Sequence, residues 1–422
     1  MTAEQLDLAY RHDVEQGNRH LFKNKGEGWL LTFWFLLPIL GQVTAAFFLL
    51  TAPFFRNRTG SFRDALVVFS VICAVYTLYI FGVSAAYGGM DEAIEPAGDA
   101  LSLFLTVAVS TWVVRSQSRI NPHHVYMACV LVLIIMFLLL AFFAVFMGQE
   151  RPGLLMKNPL NLSPLLLVPI VFCTFWQFAP SKGWIILGVV AFVMGFASVA
   201  TILEARGTTL VLAALLLTRL IWGIFDAANV RHSLRNGAFV LGILIAVLSF
   251  AFFNNSIGER FQAVTEAFEL QENMTADGTD DAIMNATSDT SVNQRLAMLI
   301  AGWNAFKERP IFGYGGQNRF DAAVDYLPGS FAFQYSHLHN EFVTHAVAGG
   351  IPAVVLLTVI LFFPVYVACR TPGESKNRMQ IAAMFTLAFV GTAFFNNVLF
   401  NDISAFSLGL SYVFAVLVLE SV

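Results

Sequence analysis

Charged side chains are scarce in this sequence of 422 residues, and their scarcity excludes most classes of soluble protein. Asp, Glu, Lys and Arg make up 12% of the residues, hydrophobic residues make up 57%, and the mean hydropathy is +0.68. Soluble domains carry about 25% charged residues, so this composition predicts a membrane protein. The formal net charge of −4 also excludes a generally basic nucleic-acid-binding protein.

Cysteine is also scarce, and none of the four cysteines lies in a polar loop. Cys73, Cys129, Cys173 and Cys369 fall in apolar runs, so we interpret them as small hydrophobic residues and not as disulfide or metal-binding cysteines. Residues 1–27 are polar and mixed in charge, without the pattern of a cleavable signal peptide. The first apolar segment is therefore expected to act as an uncleaved insertion signal.

Long apolar runs follow one another along most of the chain, and a transmembrane helix needs about 20 such residues. The run 28–54 contains Pro38 and Gly41, and basic segments precede and follow it, so the positive-inside rule predicts a hairpin of two short helices there. The other predicted spans are 65–86, 100–114, 125–148, 164–179, 184–204, 208–226, 237–253, 342–369, 380–397 and 404–420. Most lysines and arginines then lie inside, which predicts that both termini are cytoplasmic.

The fold class predicted from this pattern is an all-α polytopic membrane protein with about 12 transmembrane helices. Its one large loop is predicted to be periplasmic and partly helical, because helical spacing of apolar residues occurs at 258–272 and 291–308. An acidic, polar stretch separates these two helices, and the segment 87–99 is predicted to form an acidic outer turn. The chain divides into a cytoplasmic tail at 1–27, a bundle at 28–253, the loop at 254–340 and C-terminal helices at 341–422.

Arginine marks two places at the predicted outer face. Arg206 lies in a short connection between two spans, where it either pairs with Glu204 at the membrane boundary or binds an anion through its planar guanidinium. Residues 290–320 bring further cations into the acidic loop. For Lys307 and Arg309 a solvated helix face is an equally good interpretation, whereas Arg295 and Arg319 flank elements that return towards the membrane.

Histidine marks a third place, at residues 336–345, where the loop re-enters the membrane. His337, Glu341 and His345 recur at a spacing of four, which permits a metal site on one helix face, although the pattern is not the metalloprotease motif. We favour no metal, and interpret His337 and His339 as candidates for a general base. The alternative is a histidine that only caps or hydrogen-bonds. Arginine and histidine together indicate a lipid-linked diphosphate donor whose acceptor is a hydroxyl.

At these residues the chain resembles the O-antigen ligase family, bacterial inner-membrane glycosyltransferases of the GT-C type. The resemblance covers about 150 residues, from Arg206-Gly207 to Gly350, and the preceding part shows only the hydropathy pattern. Its motifs are an Arg-Gly pair, in which Ala205 replaces the usual Ser, a His-x-His-Asn element, Gly349-Gly350, and the loop residues Ser291, Arg295, Trp303, Pro310, Gly313 and Gly315.

The resemblance implies transfer of a glycan from undecaprenyl diphosphate to a hydroxyl of lipid A-core oligosaccharide at the periplasmic leaflet, with inversion and with no metal, cofactor or nucleotide sugar. Arg206, Arg295 and Arg319 are assigned to binding of the donor diphosphate. His339, which precedes Asn340 as in the family pattern, or His337 is assigned as the base, and Glu341 is a candidate for orienting a histidine. The residues expected to support the site are Asn340, Glu341, Tyr314, Gly313 and Gly315.

Three other functions are compatible with parts of this pattern. An O-antigen polymerase and a protein O-oligosaccharyltransferase would use the same donor with a different acceptor, so the site residues do not separate them from a ligase. A transporter of a lipid-linked anion would also need arginines, but the sequence shows no half-to-half symmetry, and the charges lie at one face.

Overall fold

The computed structural model describes residues 64–114, 122–146, 162–203, 205–225, 290–327, 337–371, 375–395, 399 and 402–421. Every regular element in these ranges is a helix, so the predicted all-α class is confirmed for them. The predicted tail and hairpin before residue 64, the span at 237–253 and the helix at 258–272 lie outside the described residues.

The longer helices of the described ranges follow the apolar runs of the sequence. In chain order the α-helices are α1 (Asp64–Val114), α2 (Pro122–Phe146), α3 (Leu162–Cys173), α4 (Lys182–Ala197), α5 (Arg206–Phe225), α6 (Thr290–Glu308), α7 (Asp321–Val324), α8 (Glu341–Leu361), α9 (Phe363–Arg370), α10 (Ser375–Phe395) and α11 (Asp402–Ser421). Short 3₁₀ helices occupy Trp176–Phe178 and Gln317–Arg319, and a π-helical turn at Ser198–Ile202 follows α4.

Five helices in the described ranges are long and apolar enough to cross a membrane, which makes the chain a multi-pass membrane protein. They are Ala65–Ala108, Pro122–Phe146, Lys182–Ala200, Glu341–Leu361 and Asn377–Phe395. The total of about 12 spans stays a prediction. In the predicted loop, α6 was expected at 291–308 and is observed at Thr290–Glu308.

The structure refines one predicted boundary and corrects another. The segment 87–99, predicted to be a turn between two spans, contains a reversal of the chain at Gly89, whose φ of 83° and ψ of 176° divide α1 into two helices. The two halves pack side by side, because the Thr77 hydroxyl donates to the Ala100 carbonyl at 3.1 Å and the Ser70 and Thr111 hydroxyls lie 3.3 Å apart. The predicted turn is therefore present, although residues 90–99 are helical. The acidic residues of this segment lie on the second half of α1, after the reversal.

The predicted single span 342–369 is instead two helices, α8 and α9, that meet at Phe362. Pro364 lies in the first turn of α9, where its missing N–H leaves no hydrogen bond unmade.

Small residues and aromatic rings bring the membrane helices together. α1 packs along α11 and α8, and Phe69 of α1 stacks on Phe363 with ring centroids 4.4 Å apart. α10 packs on α5, where a Cβ at Gly391 would lie 2.6 Å from Val211 Cγ2. Close approach of this kind is typical of membrane helices, which associate through van der Waals packing because lipid is as apolar as their side chains. The bundle thereby holds the start of α8 against α1, α6 and α10.

Candidate active site

Asn340 fixes the start of α8, and the candidate histidines lie immediately before it. The Asn340 Oδ1 accepts a hydrogen bond from the Val343 amide at 3.1 Å, which is the side-chain cap of a helix N-terminus. Its Nδ2 donates to the Phe394 carbonyl of α10 at 3.4 Å. The predicted supporting role of Asn340 thus has a geometric basis, since the cap ties the segment 337–340 to two membrane helices.

His337 and His339 lie against each other, with ring centroids 4.2 Å apart and the rings edge to face. Burial, together with the charges of Arg319 and Arg295, lowers the pKa of His337 to about 4. Burial also lowers the pKa of His339 to about 3, with contributions from His337 and Arg295. Both imidazoles are therefore neutral near pH 7 and can accept a proton.

Arg295 reaches this histidine pair because α6 packs unusually close to α8. A Cβ at Gly302 of α6 would lie 2.4 Å from Val343 Cγ1 and 2.7 Å from Leu338 Cδ1. Buried apolar residues of α6, of the segment that contains α7 and of the chain around the start of α8 form a separate small core here, and its members are Met298, Ala301, Ala305, Phe320, Ala323, Leu338 and Val347. The glycine and the alanines place the first turns of α6, with Arg295, within electrostatic range of both histidines.

Arg319 is buried, with 5% of its surface exposed, and it lies among carboxylates. Its guanidinium donates a hydrogen bond to the Gly316 carbonyl. Burial lowers its pKa, and the negative charges of Asp99, Glu341 and Glu95 act in the opposite direction. The structure therefore brings Arg319 to the predicted site, and adds carboxylates from α1 that the sequence interpretation did not associate with it.

Arg206 begins α5, and its side chain lies outside the described part of the structure. The backbone of the Arg-Gly pair is nevertheless close to the histidine segment. A Cβ at Gly207 would lie 2.7 Å from the Cβ of Phe395. Phe395 directly follows Phe394, whose carbonyl accepts the hydrogen bond from Asn340. The N-terminal end of α5 thus meets the start of α8 through the last residues of α10.

The glycine turn, residues 309–316, is bound into a break in α8. Gly350 has a φ of 66°, which breaks the helix, and the Ile351 amide donates to the Pro310 carbonyl at 2.8 Å instead of to Val347. The freed Val347 carbonyl accepts from the Tyr314 amide at 2.8 Å.

A second carbonyl of α8 is freed because Pro352 has no N–H. The Ala348 carbonyl accepts instead from the Gly315 amide at 2.9 Å. The turn lies so close to α8 that a Cβ at Gly313 would be 2.3 Å from the Val347 oxygen. Gly313 is therefore required by backbone contact and Gly315 by its φ of 91°, and Tyr314 supports the turn through its own amide.

Tyr314 and Glu341, two predicted supporting residues, also have defined side-chain contacts. The Tyr314 hydroxyl donates to the Glu308 carboxylate at 3.0 Å, and the Arg309 guanidinium lies 4.6 Å from the Tyr314 ring centroid. The Glu341 carboxylate is buried, accepts from the Leu399 amide at 3.1 Å and lies 3.4 Å from His345 Nδ1. The observed histidine neighbour of Glu341 is thus one that the sequence interpretation considered only as a metal ligand.

The spacing of His337, Glu341 and His345 does not produce a single helical face, because α8 begins at Glu341 and His337 precedes it. Among the residues that the structure describes, no group of three or more His, Cys, Asp or Glu side chains is arranged to hold a metal ion.

Sequence reasoning missed the contribution of α1. The Ser84 hydroxyl accepts a hydrogen bond from the Gly316 amide at 2.8 Å, and the Tyr76 hydroxyl lies 2.7 Å from His345 Nε2. Both residues lie in an apolar run that gives no signal except a membrane span. A polar residue inside such a run is the one hint that was available.

The fold and the site together define a multi-pass, all-helical membrane protein with two histidines and at least one arginine at the start of a broken span. Residues 189–358 match the family model described as O-antigen ligase, and this range includes the start of α5, α6, the glycine turn and both histidines. The match confirms the resemblance seen in the motifs and supports a glycosyltransferase family of the O-antigen ligase or polymerase type. No curated protein matches the chain.

Proposed function

We propose that this protein is an O-antigen ligase that transfers a glycan from undecaprenyl diphosphate to a hydroxyl of lipid A-core oligosaccharide. The observation that carries the proposal is the neutral pair His337 and His339 beside Arg295, at the start of a membrane-spanning helix and within the matched range. The reaction takes place at the periplasmic face of the bacterial inner membrane, and the membrane helices hold the lipid tail of the donor.

The histidine pair supplies a base for the acceptor. A sugar hydroxyl is a poor nucleophile near pH 7, and a positioned base contributes about 10²- to 10⁴-fold to the rate. We assign this role to His339, with His337 as the alternative. A base with a pKa of about 3 is weak. The negative diphosphate beside Arg295 would offset the charge that lowers this pKa and bring it nearer to the working pH.

The arginines bind and stabilise the leaving group. The acceptor oxygen attacks the anomeric carbon, the bond to the diphosphate oxygen breaks, and the hydroxyl proton passes to the histidine. Undecaprenyl diphosphate leaves with the bonding electrons, and this direct displacement inverts the anomeric carbon and uses no metal. We assign Arg295 and Arg206 to the developing negative charge, to which a guanidinium fork is well suited. Arg319 contributes its positive charge from a buried position among carboxylates.

A reconstituted transfer assay tests the proposal. Purified protein is mixed with undecaprenyl-diphosphate-linked glycan and lipid A-core in the presence of EDTA, and the products are separated on a gel. We expect a ladder of ligated product from the wild type, and its loss in Arg206→Ala and in either His339→Ala or His337→Ala. His123→Ala is the control, because its ring binds the Phe178 carbonyl far along the chain from the site.

The acceptor in the same assay distinguishes the alternatives. Extension of one lipid-linked glycan by another, without lipid A-core product, would replace the ligase by a polymerase. Transfer to Ser or Thr of a protein would indicate a protein O-oligosaccharyltransferase. A wild type that binds the donor but makes no product with any acceptor would contradict a transferase and favour a transporter.

A further inference from the structure

His345 is a buried histidine that the proposed reaction does not use. It lies on α8, one turn after Glu341, and is fully buried. Its Nε2 lies 2.7 Å from the hydroxyl of Tyr76, which is also fully buried, on α1. A buried polar pair in a membrane bundle is costly unless it is hydrogen-bonded, and such pairs mark functional parts of these proteins.

The tautomer of His345 follows from its second hydrogen bond. Its Nδ1 lies 2.8 Å from the Glu341 backbone carbonyl, which can only accept. Nδ1 therefore carries the proton, and Nε2 must accept the hydrogen bond that the Tyr76 hydroxyl donates. Each of the two hydrogen bonds of His345 thus joins one donor to one acceptor, and together they fix the orientation of the imidazole ring.

The first turn of α8, which contains Glu341, is also hydrogen-bonded to the segment before α11. The Glu341 carboxylate accepts from the Leu399 amide at 3.1 Å, and its Oε1 lies 3.4 Å from His345 Nδ1. Hydrogen bonds from α1 and from the segment before α11 thus converge on the first turn of α8. This turn follows directly after the segment that carries the candidate base.

His339 needs such support, because its backbone has a φ of 53°. This left-handed conformation is unfavourable for a residue with a side chain and persists only where the surroundings enforce it. We infer that Tyr76 and His345 are positioning residues, which hold the start of α8 so that His339 keeps this conformation and its ring faces the acceptor. The inference rests on the proposed function, and it adds two residues to that site.

Kinetics of three variants test the inference. Tyr76→Phe removes the donor, and His345→Asn keeps a group near Nδ1 but loses the Nε2 acceptor. We expect each to lower kcat by about 10- to 100-fold, the size of effect that a small displacement of a catalytic group produces. The KM for the donor should stay unchanged, and the double variant should be no slower than either single variant. His345→Gln, which keeps an acceptor near the Nε2 position, should recover part of the rate.

Tyr79→Phe is the matched control. Tyr79 lies on the same face of α1, one turn further on, and its hydroxyl donates to the Gly349 carbonyl of α8 at 2.6 Å. The substitution removes one hydrogen bond between the same two helices, so a purely structural effect would appear in both tyrosine variants. We expect Tyr79→Phe to keep the wild-type kcat. The Tm of Tyr76→Phe and of Tyr79→Phe measures how much each substitution destabilises the fold.

A readout that does not depend on transfer separates this inference from the proposed function. Acylation of His337 and His339 by diethyl pyrocarbonate, located by peptide mass spectrometry, should be several-fold faster in Tyr76→Phe and His345→Asn than in Tyr79→Phe. Equal acylation rates and an unchanged kcat would overturn the inference. If the wild type makes no product, the proposed function fails and the acylation rates alone decide. If Tyr76→Phe does not fold, the kcat and acylation rate of His345→Asn are compared with those of His345→Gln, because only the latter keeps an acceptor near the Nε2 position.

Discussion

His339 combines a left-handed backbone with an imidazole whose pKa is lowered by its surroundings. Its φ is 53°, and burial, His337 and Arg295 together lower its pKa to about 3. Two neighbouring imidazoles beside an arginine cannot all carry charge in a poorly solvated place, so the histidines stay neutral. The same arginine that would hold an anion therefore also keeps the base unprotonated.

The pH dependence of transfer follows from these pKa values. We expect kcat/KM, which reports the free enzyme, to be constant down to about pH 5 and to fall as the pH passes through about 4 and 3, the pKa values of His337 and His339. The acid limb of kcat should lie at higher pH, because bound diphosphate raises the histidine pKa. Initial rates across this pH range measure both limbs, and an acid limb of kcat/KM near 6.5 would contradict the prediction.

Replacement of Arg295 tests its two effects separately. Arg295→Ala should lower kcat/KM by about 100-fold, as expected for loss of one charged group that stabilises the leaving anion. It should also move the acid limb of kcat/KM to higher pH, because its charge lowers the pKa of both histidines. Lys307→Ala removes the same charge from an exposed position on α6 and is the control, with an expected rate within about twofold of wild type. A slower rate with an unmoved acid limb would mean that Arg295 does not act on the histidines.

At the scale of elements, the decisive feature is the exchange of hydrogen bonds between the glycine turn and α8. The turn supplies two amides and one carbonyl, and the broken helix supplies two carbonyls and one amide, so these six backbone groups pair with one another across the break. Gly313 and Gly350 both have a positive φ at this contact. The turn and α6 are thereby held at the same end of α8 as the histidines.

A substitution at Gly313 measures the strength of this contact. Gly313→Ala would require a positive φ at an alanine and would place a Cβ 2.3 Å from the Val347 carbonyl oxygen, so the backbones must separate. We expect a loss of about 2 kcal/mol or more in unfolding free energy, seen as a lower Tm in detergent. Gly82→Ala in α1 has open space at its Cβ, and should leave the Tm unchanged or raise it slightly. Equal Tm values for both variants would contradict a close docking of the turn.

At the scale of the whole molecule, the site elements gather at one end of a membrane bundle. α6, the glycine turn and the start of α8 meet the reversal of α1 near Gly89 there, where Asn318 Nδ2 donates to the Glu92 carboxylate at 3.3 Å. The positive-inside rule predicts that this end faces the periplasm. A periplasmic site is also what the proposed lipid A-core acceptor requires.

Labelling with a membrane-impermeant maleimide tests this orientation. In intact cells we expect Lys307→Cys, on α6, to be labelled from the periplasm. The native Cys369 is exposed near the end of α9 and should react only after the membrane is opened. The three other cysteines are buried and give little background. The reverse pattern would place the site in the cytoplasm and rule out the proposed acceptor.

Much of the fold could be predicted from the sequence, because transfer of apolar side chains from water to lipid is a local property of each run of residues. The bounds of α6 and α2 were predicted to within about three residues for this reason. The turn between the two halves of α1 was predicted as well, but the helical course of residues 90–99 was not, because Glu92 accepts a hydrogen bond from Asn318 elsewhere in the fold. The roles of Arg206, Arg295, Arg319, His337 and His339 stay predictions, and of these the structure brings the side chains of the last four together.

The sequence by itself determined that this is a helical membrane protein with an O-antigen ligase-like segment, because hydropathy and motif spacing are carried by neighbouring residues. Only the tertiary structure decided which groups meet. Tyr76 and His345 are 269 residues apart, and no spacing rule connects them. The same holds for the glycine turn and the break in α8, whose hydrogen bonds form only after both helices have packed. Such contacts depend on the free energy of the whole bundle, and no single segment contains that information.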